Sequence, residues 1–106
     1  MRKPSILFIT TDEQHLDTVY HANLPYTLPG LQQLMACSDV YQTAYSASPV
    51  CLPARCTWMT GLMPYHNGCI SNNFGASLPW QLPNLFTCLK QSGYTTSLHG
   101  KCHFVP

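Results

Sequence analysis

Apolar residues fall in short bursts along the chain, and their spacing predicts an alternation of strands and helices. Residues 5–11, SILFITT, form a β-branched and aromatic run of the length of a buried strand. TDEQHLD follows as a loop at its C-terminal end. In TLPGLQQLMACS, residues 27–38, Leu31, Leu34 and Met35 recur at helical spacing, with Pro29 near the start. DVYQTAYS, 39–46, alternates as a strand does. Pro53 opens a helix through about Thr60, and Gly61 ends it. Residues 62–81 are rich in Gly, Pro, Asn and Ser and read as loop. LPNLFTCLKQSG, 82–93, places Leu82, Leu85, Phe86 and Leu89 on one helix face, with Gly93 as a stop. YTTSLHG, 94–100, reads as a last strand. The order β-α-β-α-α-β predicts an α/β sheet. There are no internal repeats and no low-complexity segment.

Composition changes this picture in one respect. The chain has 106 residues and is 45% apolar, but only 8% charged, against roughly 25% in a typical soluble domain. A surface so poor in charge predicts cover by further protein. Five basic and four acidic side chains nearly cancel, so neither a nucleic-acid patch nor a membrane-binding charge run is present. No stretch approaches the roughly 18 apolar residues of a membrane span. MRKPSILFITTDEQ starts basic and turns apolar, but its apolar run stops at an acidic pair without a small-residue cleavage site. It is read as the first strand, which places the expectation in the cytoplasm. The six cysteines, Cys37, Cys51, Cys56, Cys69, Cys88 and Cys102, include no CxxC pair. Mostly free thiols are expected, with one or more disulfides as the alternative and a zinc site disfavoured.

In open α/β sheets the chemistry lies at the carboxyl ends of strands. TDEQ, SPVCLPAR and GKCH all fall at such ends or where the chain enters a helix. Cys51 precedes a proline-initiated helix, where free N–H groups and the helix dipole favour an anion; a buried structural cysteine is the plainer alternative. Arg55 lies one turn on, so both side chains can face one pocket; otherwise it is a solvated arginine. Asp12 and Glu13 offer oxygen to a hard divalent cation, or form a turn. Lys101 and His103 flank Cys102 and share a face in extended chain, pairing a cation with an acid–base group, or sit on a surface edge.

Taken together, these stretches resemble the N-terminal part of a type I sulfatase of the alkaline phosphatase superfamily. SPVCLPARCTWMTGLMPYHNG resembles the sulfatase signature, with its core C-x-P-x-R followed by T-G. SILFITTDEQ resembles the first strand and its metal-binding acids. LPNLFTCLKQSGYTTSLHGKCHF resembles the helix–strand unit that ends in G-K-x-H. YTLPGLQQLM resembles, more weakly, the helix written T-P-N-L-x-x-L. The resemblance implies a mixed, mostly parallel sheet with helices on both faces, of which residues 1–106 would be an incomplete N-terminal piece of the catalytic domain.

The resemblance also implies the chemistry. A maturation enzyme oxidises the signature cysteine, here Cys51, to Cα-formylglycine. Its hydrate, on a divalent cation, offers one oxygen to sulfur, and the second hydroxyl expels sulfate by collapsing back to the aldehyde. A simple serine would be left as a slowly hydrolysed sulfate ester. Asp12 is then a metal ligand, normally to calcium, with Glu13 in the position of a second acid. Arg55 holds the hydrate and its oxyanion, Lys101 contacts nucleophile and sulfate, and His103 is the general base.

The sequence departs from the family pattern in places. Leu52 stands where a small or hydroxyl residue is commoner, and Ala54 where serine is frequent. TDEQ in place of a double aspartate resembles the branch of choline sulfatases and phosphonate monoester hydrolases. PYHNG differs from P-H-x-H-G, which leaves His66 without an assigned role. The remaining ligands of the family come from far downstream, so the 106 residues alone are expected to be inactive and aggregation-prone. The resemblance leaves two other readings: a phosphonate monoester or phosphodiester hydrolase using the same formylglycine, and an inactive piece that keeps the motif by descent.

Overall fold

Five short helices are assigned in the computed structural model, which describes residues 3–20, 25–73 and 76–104. They are α1 (Asp17–Tyr20), α2 (Pro29–Ala36), α3 (Cys51–Thr60), α4 (Pro64–Asn67) and α5 (Leu85–Gln91). The chain divides into two units, residues 1–43 and 44–106.

In the first unit, α2 starts at Pro29, whose fixed φ and missing N–H suit the first helical position. Leu31 and Met35 are half-buried on one face. With Val19, Tyr26 and Leu28 they line a cavity of about 180 Å³. Leu34, expected on that face, is 57% exposed.

The second unit is built around α3. Val50 is extended and Gly61 adopts the left-handed conformation, its N–H closing on the Thr57 carbonyl. The helix begins two residues before the proline expected to open it. Pro53 sits in the first turn, where its missing donor has no intrahelical acceptor to lose. Leu52, Pro53, Ala54, Arg55, Cys56 and Met59 are all buried. A helix buried on nearly every side carries no amphipathic stripe, and this one is the centre of the unit rather than its cover. Leu52, Cys56 and Met59 form the core with Cys69, Leu78 and Phe104. Phe86 of α5 packs against that cluster, edge-on to Phe104 at 6.1 Å between ring centroids.

The connection out of α3 contains the one-turn helix α4, where composition predicted loop; Phe74 and Gly75 lie outside the described residues. Asn67, buried, makes the return. Its amide donates to the Leu62 carbonyl and, more weakly, to Thr60 Oγ1, and its oxygen accepts from the Cys69 N–H. That turn carries Cys69 back to Cys56. The helix expected over 82–93 is shorter, Leu85–Gln91. Asn84 and Thr87 exchange side-chain to backbone bonds in a capping box that fixes its start.

The strands expected at 5–11, 39–46 and 94–100 do not form: no ladder is assigned among the described residues. A strand exists through its partner's hydrogen bonds, and β-propensity measures fit to a pleated, half-buried surface rather than a local preference. Leu7 and Ile9 are 83% and 73% exposed, so the apolar run that predicts the first strand has no such surface over it. In the second unit an open, apolar cavity of about 300 Å³ lies among Trp80, Phe86, Leu98, Cys102 and Phe104. The core beside it is itself closed, with Leu78 and Phe104 only 1% and 4% exposed.

Candidate active site

Cys51 is the first residue of α3, and the geometry of that turn aims its side chain. The approach is set by serines. Ser48 Oγ accepts from the Val50 N–H at 3.1 Å, and Ser46 Oγ donates to the Ser48 carbonyl at 2.6 Å. Val50 has no polar side chain with which to cap the helix. The Leu52 N–H instead donates to Asn72 Oδ1, 2.9 Å away and 20 residues on. Proline at position 53 has no donor, and the Ala54 N–H already reaches the Val50 carbonyl. The Cys51 N–H is therefore the donor of that turn for which helix, proline and Asn72 do not account.

Arg55 is not a solvated arginine. It is buried at 7% exposure, and its Nη1 donates to the Lys101 carbonyl at 2.6 Å. A buried guanidinium requires such acceptors. Its Cζ also lies 5.8 Å from the centre of the Trp58 ring. Lys101 is held through its backbone, and its exposed side chain places Nζ 3.7 Å from Cys51 Sγ. Two contacts, spanning 46 and 50 residues, thus join Arg55 and Cys51 to Lys101.

His103 lies two residues beyond, with a left-handed backbone at φ 59°. The extended geometry that predicts Lys101 and His103 on one face does not hold at His103 itself. Cys102 and Phe104 on either side pack on the core, and the Leu78 N–H donates to the Phe104 carbonyl. His103 Nδ1 is buried with no hydrogen-bond partner. A buried ring nitrogen without a partner, on a strained backbone, is a feature that clusters at functional sites.

Asp12 and Glu13 belong to the first unit. Both are exposed, and Glu13 has the other non-glycine positive φ among the described residues, 54°. Among the described residues no three His, Cys, Asp or Glu side chains converge on one point. Oxygen donors of this kind suit a hard cation; the Cys51 thiol does not, and an oxygen at that position would. His66 on α4 is exposed, with its ring tilted 46° to that of Tyr65 at 4.4 Å between centroids.

Sequence reasoning missed Asn72, which sits in an Asn- and Ser-rich loop with no periodicity to mark it. The signal that could have found it is indirect. A helix preceded by valine must take its cap from elsewhere.

The family model for sulfatases matches residues 4–106. An ulvan-active sulfatase of Formosa agariphila is 30% identical over 98% of this chain and 21% of its own length. A choline-sulfatase of Rhizobium meliloti is 32% identical over 97% of this chain and 20% of its own. An N-acetylgalactosamine-6-sulfatase of Canis lupus familiaris is 29% identical over 94% of this chain and 22% of its own. The chain therefore spans about a fifth of the length of these relatives. No solved structure matches. The signature around Cys51, the G-K-x-H segment bonded back to it and the extent of the family match lead to one conclusion: the chain belongs to the sulfatase family.

Proposed function

We propose that this chain is part of the catalytic domain of a sulfuric ester hydrolase and carries its nucleophile, Cys51 matured to Cα-formylglycine. The observation that carries this reading is the Cys51–Lys101–Arg55 connection. A cation stands 3.7 Å from the residue to be converted, and a second cation is buried beneath it. Such charges favour an anionic ester over a neutral one. The formylglycine hydrate supplies the oxygen nucleophile and a second hydroxyl for sulfate release. Around it, Lys101 binds the ester's charged oxygens and Arg55 holds the site's shape and positive potential. His103 takes the proton of the second hydroxyl.

Asp12, with Glu13, would hold a divalent cation, calcium by family habit, which supplies charge for the nucleophile and sulfate oxygens. The rest of the catalytic domain would supply the other ligands. It would also pair residues 5–11, 39–46 and 94–100 into an alkaline-phosphatase-like sheet. The exposed run Ile6–Ile9 and the open apolar cavity lined by Trp80, Leu98 and Phe104 support that reading. The partners of the complete protein are then a sulfate ester and a formylglycine-generating maturation enzyme.

The test is intact mass and turnover of the complete polypeptide made beside a maturation enzyme. Conversion of Cys51 removes about 18 Da, as SH and H give way to an aldehyde oxygen. Hydrolysis of a sulfate monoester in preference to a phosphodiester supports the reading. The reverse preference assigns the site to phosphonate or phosphodiester hydrolysis, and neither activity makes it an inactive relative.

A further inference from the structure

We infer that Asn72 is a positioning residue for the Cys51 side chain, acting as a cap supplied to α3 from the loop after α4. The inference rests on the reading of Cys51 as the nucleophile's precursor. It begins from Cys51 being the first residue of its helix. Rotation or fraying of the first turn therefore moves the reacting group itself.

No side chain upstream of the helix caps that turn. The Val50 side chain offers no acceptor, and Ser48 Oγ, the nearest upstream hydroxyl, accepts from the Val50 N–H instead. Leu52 is 1% exposed, so water cannot serve its amide. Asn72 Oδ1 at 2.9 Å serves it. Because the partner is an N–H, the atom facing it must be the amide oxygen. Leu52 is then held twice, by its side chain in the core and by its amide on Asn72. Cys51 is one peptide bond away.

The bond also ties the loop after α4 to the N-terminus of α3. Residues 71–73 follow the Asn67 turn, and that turn is fixed to the far end of the same helix through Thr60 and Leu62. The loop thus leaves the C-terminus of α3 and returns to brace its N-terminus. A displacement of about 1 Å at a nucleophile can slow a reaction by around 10²-fold, which is the scale on which such a brace matters.

The experiment uses the complete polypeptide, matured at Cys51, and compares wild type with Asn72→Ala, Asn72→Leu and Asn72→Asp. Residue-resolved hydrogen exchange reports the Leu52 amide, and kcat and KM are measured on an aryl sulfate. Asn72→Ala is expected to speed Leu52 exchange about tenfold, the usual scale for a lost cap. It is expected to lower kcat about ten- to a hundredfold with KM little changed. Asn72→Asp keeps an acceptor at the helix N-terminus and recovers most of both. Asn72→Leu keeps the volume without the acceptor and behaves as alanine does, so it stands in if Asn72→Ala does not fold.

Unchanged Leu52 exchange in the alanine and leucine variants overturns the cap. Faster exchange with unchanged kcat overturns the positioning role, as does an aspartate variant that restores exchange but not kcat. A wild type that turns over a phosphodiester but no sulfate ester refutes the sulfatase reading alone, and kcat on that diester then decides the positioning role; one that turns over neither refutes both, while the Leu52 amide still decides the cap.

Discussion

Arg55 and Lys101 are joined through the lysine's backbone, not its charge: Arg55 Nη1 donates to the Lys101 carbonyl at 2.6 Å across 46 residues. A cation bonded to the main chain of a second cationic residue fixes where that residue begins and leaves its ammonium directed elsewhere. Here the ammonium reaches Cys51 Sγ. The arginine therefore has a structural task beside any contact with the reacting group. Arg55→Met should destabilise the complete protein by about 1.5–3 kcal/mol, the range for a hydrogen bond to a charged group. It should also lower kcat/KM by roughly 10²–10³-fold. Arg55→Lys keeps the charge without the planar fork and should recover little of either. Urea unfolding and steady-state kinetics read the two effects; an Arg55→Lys protein of wild-type stability would remove the structural task.

Burial pushes the Cys56 thiol up to about 12, helped by its hydrogen bond to the neighbouring Cys69 thiol. The unfolded chain titrates near its ordinary 9.0. Below that pH both states keep the proton and the full stability is present. As pH rises from about 9 to about 12, the unfolded thiol ionises while the folded one does not, so stability falls. The urea midpoint should decline across this window, and less steeply in Cys56→Ala. Iodoacetamide at neutral pH should label exposed Cys37 and Cys88 and spare buried Cys56 and Cys69. Equal labelling of Cys56 and Cys88 in folded protein would show the core around α3 to be open.

Local signals in the sequence placed what local physics decides. Pro29, Gly61 and Gly93 mark boundaries because φ restriction and left-handed geometry act within one residue. C-x-P-x-R places a cysteine and an arginine one turn apart because helical spacing is fixed. Three things were not legible. The strands depend on partners, and nothing in SILFITT says whether a neighbour is present. The left-handed backbone at His103 breaks the alternation assumed for GKCHF, and a histidine carries no glycine-like warning of it. Asn72 acts over 20 residues through one hydrogen bond, a relation that spacing rules do not reach.

The start of α5 should be sensitive to substitution, because its cap is buried. Asn84 is 2% exposed, and its oxygen accepts from the Thr87 N–H at 3.1 Å. Its amide donates to the Leu82 carbonyl at 3.2 Å, while Thr87 Oγ1 accepts from the Asn84 N–H at 3.1 Å. Asn84→Ala loses the cap and should cost about 1–2 kcal/mol. Thr87→Ala keeps the Asn84 oxygen on the residue 87 N–H, loses the return bond and the Thr87 hydroxyl's donation to the Asn84 carbonyl at 2.9 Å, and should cost about half as much. Chemical denaturation of the two variants gives the order; a Thr87→Ala protein as weak as Asn84→Ala would mean that the box acts as a unit.

Asp12 and Glu13 make the metal reading testable apart from the thiol. Both are exposed at the end of the apolar run 5–11, and Glu13 holds φ at 54°. A left-handed glutamate has no packing reason on an exposed turn and is a position where glycine would relieve strain of about 1 kcal/mol or more. If the conformation exists to direct carboxylates at a cation, Asp12→Asn in the matured complete protein should weaken calcium binding and turnover together. Removing one carboxylate from a hard-cation site leaves an amide oxygen in its place, neutral but still a donor. Added calcium should therefore restore part of the lost turnover. Glu13→Gly separates the two explanations of the turn. It should stabilise the fold, and it should leave calcium affinity unchanged if only Asp12 is a ligand. Calorimetric calcium titration with parallel kinetics decides between them. Full activity of Asp12→Asn without added calcium would end the ligand role assigned to Asp12.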